Sequence, residues 1–319
     1  MRALQFDRTG DLAYLELRDV ATPAPKPGEV LIRVEAAALN PSDVKNVQGA
    51  MHQTTLPRIP GRDYAGVVVE GSAEWKDKRV FGSGDGLGFT RDGSHAEFLV
   101  VPENSLVELP LSLSFEQGAS IGVTYLTAWS AVQIGALRAG ETILITGATG
   151  SVGSAAAQIA RSKGARVLGT VRTMAEVTDE DRELADIWID LSNTTLDAGV
   201  LAAAERGVEM VLDVVGGPLF VPCLKSLAHG GRQVAIASPG DGQVTFNLRD
   251  FYHREARLFG LDSLALGFED CRDILAAVVP SIASGAFRVP EFDVVPLAGA
   301  LAAYKDTKPR KKPVIQMRG

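Results

Sequence analysis

Cysteine is scarce in this chain of 319 residues: Cys223 and Cys271 are the only two, and neither belongs to a Cys-x-x-Cys pair. A disulfide framework is thereby excluded, and a reducing compartment is the expectation. Structural zinc, which usually takes four clustered ligands, has nothing to build on. The four histidines, His52, His95, His229 and His253, are isolated in sequence and read as surface or turn residues. Long apolar runs are missing too. MRALQFDRTG at the start lacks a signal-peptide core, and no run approaches membrane-spanning length, so a cytoplasmic protein is expected. Positive charge is not in excess. The net charge is −7, and the one basic cluster, Lys308-Pro309-Arg310-Lys311-Lys312, reads as a solvated turn. Nucleic acid is not an expected partner.

What the chain does hold is the composition of an ordinary globular protein, 46% hydrophobic and 22% charged, with length enough for two cores. Its most informative stretch is Glu141–Gly164, ETILITGATGSVGSAAAQIARSKG. Glu141–Thr146 reads as a buried parallel strand, Ser151–Lys163 as a helix and Arg166–Val171 as a second strand. Gly147, Gly150 and Gly153 make the turn between strand and helix. Such glycines let the backbone approach a pyrophosphate, which rests on free N–H groups at the helix N-terminus. Three glycines alone are a weak signal. Embedded in strand–turn–helix–strand, they predict a dinucleotide site at Gly147, Ala148, Thr149, Gly150, Ser151, Val152 and Gly153.

Residues 1–110 read as strands and turns: Met1–Phe6, Leu12–Val20, Val30–Ala38, Tyr64–Glu70 and Ala96–Val101. The glycine-rich segment 82–88 lacks the context of a phosphate loop and reads as a flexible surface loop or substrate lid. From Ser114 the period becomes helical, through Gly135. Strands and helices then alternate: the polar stretch 174–186 reads as helix, Ile187–Leu191 as strand, 197–206 as helix and Glu209–Val215 as strand. Helix 218–229 and strands Arg232–Ser238 and Arg257–Leu261 follow. This alternation specifies an open parallel sheet. Helix Phe268–Gly285, strand Phe292–Pro296, helix 298–307 and strand Val314–Met317 break it, which predicts a return to the first domain.

Several stretches together resemble the medium-chain dehydrogenase/reductase superfamily, and within it the zinc-free quinone oxidoreductases that include the zeta-crystallins. They are Asn40-Pro41-Ser42-Asp43-Val44-Lys45, Pro60-Gly61-Arg62-Asp63-Tyr64-Ala65-Gly66, Gly93-Ser94-His95-Ala96-Glu97-Phe98, and Gly147–Gly153 with Gln158. The resemblance spans nearly the whole chain. It implies a GroES-like strand-rich catalytic domain, residues 1–118 plus 264–319, with a Rossmann domain, residues 119–263, inserted in it. The active site is then expected in the cleft between them, and a homodimer through edge strands of the nucleotide domains.

By the same resemblance, Asn40 stands where zinc-dependent relatives place a metal Cys, and Arg62 where they place a His. No zinc is expected. Without a Lewis acid to make an alkoxide, alcohol oxidation is disfavoured. Hydride addition to a quinone or an α,β-unsaturated carbonyl compound needs only hydrogen-bond donors for the developing charge. Candidate catalytic residues are Asn40, Asp43, Lys45 and Tyr64. Lys45 reads equally as a ribose contact or a solvated lysine, and Tyr64 as a pocket residue or core. Counting nineteen residues beyond Gly153, the place of an NAD-selecting carboxylate falls on Arg172, which points to NADPH, the alternative being an arginine that merely faces water. The family implies further contacts from Thr127, Asp213, Val214, Val215, Ser238, Leu261 and Ser263.

Two other readings stand beside this one. Enoyl-thioester reductases share Asn-Pro-Ser-Asp, a Gln-Gly pair and the arginine, but Met51 occupies the place of their tyrosine donor. An NADPH-binding protein with little turnover would carry the same motifs. Tyr304 and Lys308 match a short-chain dehydrogenase Tyr-x-x-x-Lys pattern, which the late position of the fingerprint makes a coincidence.

Overall fold

The computed structural model describes residues 1–306 and 311–318. They fall into two compact units, Met1–Leu126 with Leu264–Gly319, and Thr127–Ser263. In chain order the first elements are β1 (Arg2–Gln5), β2 (Glu16–Asp19), β3 (Glu29–Ala38), α1 (Pro41–Val47), β4 (Asp63–Glu70), β5 (Arg79–Gly82), β6 (Phe98–Pro102) and β7 (Val107–Glu108). Next come α2 (Phe115–Ile134), β8 (Thr142–Ile145), α3 (Ser151–Ser162), β9 (Arg166–Val171), β10 (Ile187–Asp190), α4 (Leu196–Ala203) and β11 (Val208–Asp213). The chain ends with α5 (Phe220–Lys225), β12 (Leu227–Ala235), α6 (Leu248–His253), β13 (Arg257–Gly260), α7 (Phe268–Ala283), β14 (Phe292–Pro296), α8 (Ala300–Lys305) and β15 (Lys312–Gln316).

In the first unit one sheet runs β14-β15-β3-β4-β5-β7, with β6 also paired to β3. The C-terminal strand pairs with this sheet: Val314 and Ile315 of β15 face Ala38 and Ala37 of β3. Register shifts between β3 and β4 coil the sheet. Gly66 permits this approach, since a Cβ there would lie 2.1 Å from the Arg33 carbonyl oxygen. Leu4, Phe6, Ile32, Tyr64, Val68, Phe268 and Tyr304 form the core. Tyr64 reaches it past Gly82, where a Cβ would meet the Tyr64 hydroxyl at 2.5 Å and Cζ at 2.8 Å. Gly82→Ala is therefore expected to destabilise this unit by about 1–3 kcal/mol, read as a lowered denaturation midpoint at unchanged m-value.

The second unit is a six-stranded parallel sheet in the order β10-β9-β8-β11-β12-β13. This is the doubly wound order whose reversal point lies at the first strand, here β8. Ile143, Leu144 and Ile145 are fully buried because helices cover both faces of a parallel sheet. Small residues set the spacing on α3, whose buried side is Gly153, Ala155, Ala156, Ala157, Ile159 and Ala160.

Four expectations are corrected. The polar stretch 174–186 is not one helix but two 3-10 turns, Met174–Glu176 and Asp181–Leu184. The Thr178 and Asp181 side chains take each other's backbone N–H groups and so compete with helical bonding. Segment 82–88 is packed rather than a surface loop: Ser83 and Leu87 are buried, and the Gly88 carbonyl accepts from the Asn46 amide at 2.6 Å. A Cβ at Gly88 would sit 2.8 Å from the Gly61 nitrogen, so these glycines serve close packing. His95 is wholly buried rather than at the surface. Within the basic cluster, Lys308, Pro309 and Arg310 lie outside the described residues, but Lys312 is a buried strand residue whose side chain is 7% exposed.

Candidate active site

At the carboxyl end of β8 the chain turns through Gly147 at φ +57° and enters α3 from Gly150. No side chain caps the first turn of α3, so its N–H groups and the positive end of its dipole face outward. Gly153 lies against the turn itself: a Cβ there would be 2.4 Å from the Gly147 carbonyl oxygen and 2.9 Å from the Ala148 Cα. Ala148 is buried, whereas Gly150 and Ser151 are exposed. Thr149 and Val152 are half-buried. An uncapped helix end with exposed backbone and no room for a side chain fits a dinucleotide pyrophosphate.

The neighbouring strand ends are held by Asp213. Its Oδ1 accepts from the Thr146 hydroxyl at 2.9 Å, Gly216 N at 2.8 Å and Val215 N at 3.2 Å, and its Oδ2 takes the Gln233 amide at 3.4 Å. Val214 N in turn donates to Thr146 Oγ1 at 3.0 Å. Asp213 is fully buried, so this carboxylate positions Val214 and the half-exposed Val215 beside Gly147 rather than facing solvent. Arg172, just past β9, is 88% exposed, with its Nη2 2.7 Å from Glu176 Oε1. Thr127 is buried on α2, and Ser238 is exposed beyond β12. Leu261 and Ser263, beyond β13, are half-buried, and Leu261 N bonds the Ala235 carbonyl at 3.1 Å.

In the first unit a second polar cluster gathers around Asn40. Asn40 precedes α1, and its N–H donates at 2.8 Å to Asp43 Oδ2. Its amide Nδ2 donates at 3.0 Å to Asp63 Oδ2. Asp63 Oδ1 accepts from Val123 N at 2.9 Å, close to Gly122, where a Cβ would collide with that carboxylate. Lys312 Nζ lies 3.6 Å from Asp63 Oδ2 and donates to Thr124 Oγ1 at 3.0 Å and the Ser120 carbonyl at 3.2 Å. Because Asp63 occupies one amide proton of Asn40, the amide plane is fixed, leaving the other proton for a further bond.

The buried charges shift accordingly. Burial raises Asp43 to about 7 against the opposing Asn40 N–H bond, with Asp63 adding to the rise and Arg62 and Lys312 opposing it. Burial lowers Lys312, and Asp63 and Asp43 resist that change. His95 is pushed down to about 4 by burial, although its bond to the Ala38 carbonyl opposes this. Nε2 meets that carbonyl at 3.1 Å, which assigns it the proton, so Nδ1 accepts from the Tyr304 hydroxyl at 2.7 Å. Lys45 is exposed on α1. Tyr64 sits in the core, and burial raises its pKa against the opposing effect of Ser105.

Asn40 and Asp43 thus come together in one cluster, while Lys45 and Tyr64 do not join it by any bond. Sequence reasoning missed Asp63, Lys312 and the His95–Tyr304 pair. Asp63 stood inside the Pro60–Gly66 motif and could have been found there, whereas Lys312 lay hidden in a run of basic residues. Among the described residues no group of three or more His, Cys, Asp or Glu is placed to hold a metal ion.

Comparison with known proteins places these observations. Residues 26–111 match the alcohol dehydrogenase GroES-like domain, and residues 151–279 match the zinc-binding dehydrogenase family. A zinc-type alcohol dehydrogenase-like protein of Schizosaccharomyces pombe is 37% identical over 295 residues, covering 91% of this chain and 86% of the relative. Human quinone oxidoreductase is 32% identical over 291 residues, covering 87% and 85%. The crystal structure of AibC superposes with a TM-score of 0.89 at 29% identity, covering 99% of this chain and 95% of that one. The GroES-like and Rossmann architecture follows from fold and family alike, and the chain belongs to the medium-chain dehydrogenase/reductase superfamily of oxidoreductases.

Proposed function

We propose that the protein is an NADPH-dependent, zinc-independent reductase of quinones or α,β-unsaturated carbonyl compounds. The observation that carries this reading is the Asn40 amide, held by Asp63 inside a buried, charge-balanced cluster. A carboxamide engaged with a carboxylate and a guanidinium at position 62 are not zinc donors. Instead the free amide proton of Asn40 can donate to an oxygen on which negative charge develops. Bound at the α3 turn, the cofactor supplies a hydride.

The chain's own residues do the rest. The uncapped N–H groups of α3 hold the pyrophosphate, and Asp213 keeps the adjoining strand ends in place. Arg172, where NAD-selective sites carry an acid, offers a guanidinium fork to the adenosine 2′-phosphate. Asp43, raised to about 7, can hold or release a proton near neutrality beside Asn40. The reading extends to a cytoplasmic homodimer, supported by two unpaired cysteines and by the edge strand β13, where Leu258 is 41% exposed.

An acceptor screen tests this. With NADPH, 1,2-naphthoquinone, an alkenal or an enone is expected to be reduced, and treatment with a chelator should leave the rate unchanged. Arg172→Ala should weaken NADPH at least about tenfold and leave NADH nearly unaltered, as befits loss of a charge-assisted contact. Stoichiometric zinc in the active protein, or equal affinity for both cofactors before and after the substitution, would refute the respective halves of the proposal.

A further inference from the structure

We propose that Glu176 is a built-in competitor for the 2′-phosphate: it holds Arg172 and sets how strongly the protein prefers the phosphorylated cofactor. The proposal rests on the NADPH reading and names the residue that tunes it.

Arg172 and Glu176 form an ion pair at 2.7 Å in which the arginine is 88% exposed and the glutamate only 31%. The asymmetry extends to the backbone. Glu176 stands on the 3-10 turn Met174–Glu176, whose first residue donates its N–H to the Asp190 carboxylate at 3.1 Å. Glu176 N bonds the Thr173 carbonyl at 3.0 Å, and the next side chain, Val177, is buried. Asp190 itself is tied down by Ser192 and Asn193. The carboxylate therefore stands on an anchored turn, and the long, exposed arginine reaches across to it.

A carboxylate and a phosphate want the same planar fork of donors. When the 2′-phosphate binds Arg172, Glu176 either gives up its share of the guanidinium or stays close to a second anion. Both outcomes subtract from affinity for the phosphorylated ligand. A 2′-hydroxyl makes no such demand, so the unphosphorylated cofactor binds with the ion pair intact. Glu176 thereby narrows a selectivity that Arg172 creates. Exposed ion pairs are weak, so the effect is expected to be about 2–5-fold.

The test is direct binding of 2′,5′-ADP and 5′-AMP to the full chain at low salt, with NADPH and NADH as companions, and it needs no turnover. Glu176→Gln should tighten 2′,5′-ADP and NADPH by about 2–5-fold and change 5′-AMP and NADH by less than about 1.5-fold. In the presence of Arg172→Ala, the same substitution should gain less than about 1.5-fold, because no guanidinium remains to be released. An undiminished gain in the double variant overturns the holding role. Unchanged affinities in Glu176→Gln, with Arg172→Ala still losing the phosphorylated ligands, overturn the inference and leave the cofactor reading standing. A wild-type protein that does not distinguish 2′,5′-ADP from 5′-AMP overturns both.

Discussion

Arg232→Met is expected to cost the parallel-sheet unit about 3 kcal/mol, the scale of breaking a largely buried ion pair with its hydrogen bonds. Arg232 lies on β12 with its side chain 10% exposed. Its Nε donates to the Gly135 carbonyl and its Nη2 to the Ala136 carbonyl at 3.0 Å. Those are the free carbonyls just beyond α2, where Ala136 turns at φ +46°. Nη1 reaches the Glu209 carbonyl at 2.9 Å, and both Nη atoms hold the Glu141 carboxylate. A methionine fills the space but leaves Glu141 without its cation and two helix-end carbonyls without donors.

The same contact carries a pH signature. Burial would raise the Glu141 carboxyl, but the bonds to Arg232 and Arg138 outweigh it, and its pKa lies below the ordinary value. A carboxylate lowered in the folded state stabilises above its unfolded pKa, and that contribution fades as pH falls through the folded one. The gap between wild type and Arg232→Met should therefore shrink below about pH 4. Urea denaturation across pH measures it; a gap that is constant with pH, or below about 1 kcal/mol at neutrality, would count against the role.

These contacts mark where the sequence stops being legible. The alternation of strands and helices could be read directly, because Ile143-Leu144-Ile145 and the Ala-rich α3 carry different periods and a glycine turn between them. The C-terminal return to the first sheet could be read as a break in that alternation. What could not be read is pairing. Lys312 looks like one more cation in a basic run until β15 brings it beside Asp63. His95 looks like a turn residue until Ala38 and Tyr304 arrive from distant segments to bond both ring nitrogens. Short elements were lost for a related reason: the strands β5 and β7 and the helix α6 span too few residues to establish a period. Glycines mislead in the opposite direction. In 82–88 they suggest mobility, yet they are required by close packing against Gly61, Tyr64 and Cys271.

The buried pair His95 and Asp43 should give opposite pH profiles when each is removed. His95 falls from 6.5 to about 4 on folding, so between those values the unfolded chain binds the extra proton and acid destabilises the fold. Asp43 rises from 3.8 to about 7, so over nearly the same window the folded chain binds the extra proton and base destabilises it. In the wild type the two slopes oppose each other. Each amounts to about 1.4 kcal/mol per pH unit at most. His95→Gln keeps a donor for Ala38 and an acceptor for Tyr304, and relative to wild type it should gain about 3 kcal/mol as pH falls from 6.5 to 4. Asp43→Asn keeps an acceptor for the Asn40 N–H, and it should gain about 4 kcal/mol as pH rises from 4 to 7. Differences from wild type cancel the background of surface carboxylates, so the crossing of the two curves is the diagnostic. Parallel curves would mean that His95 is not held neutral, or that Asp43 is not held protonated, inside this cluster.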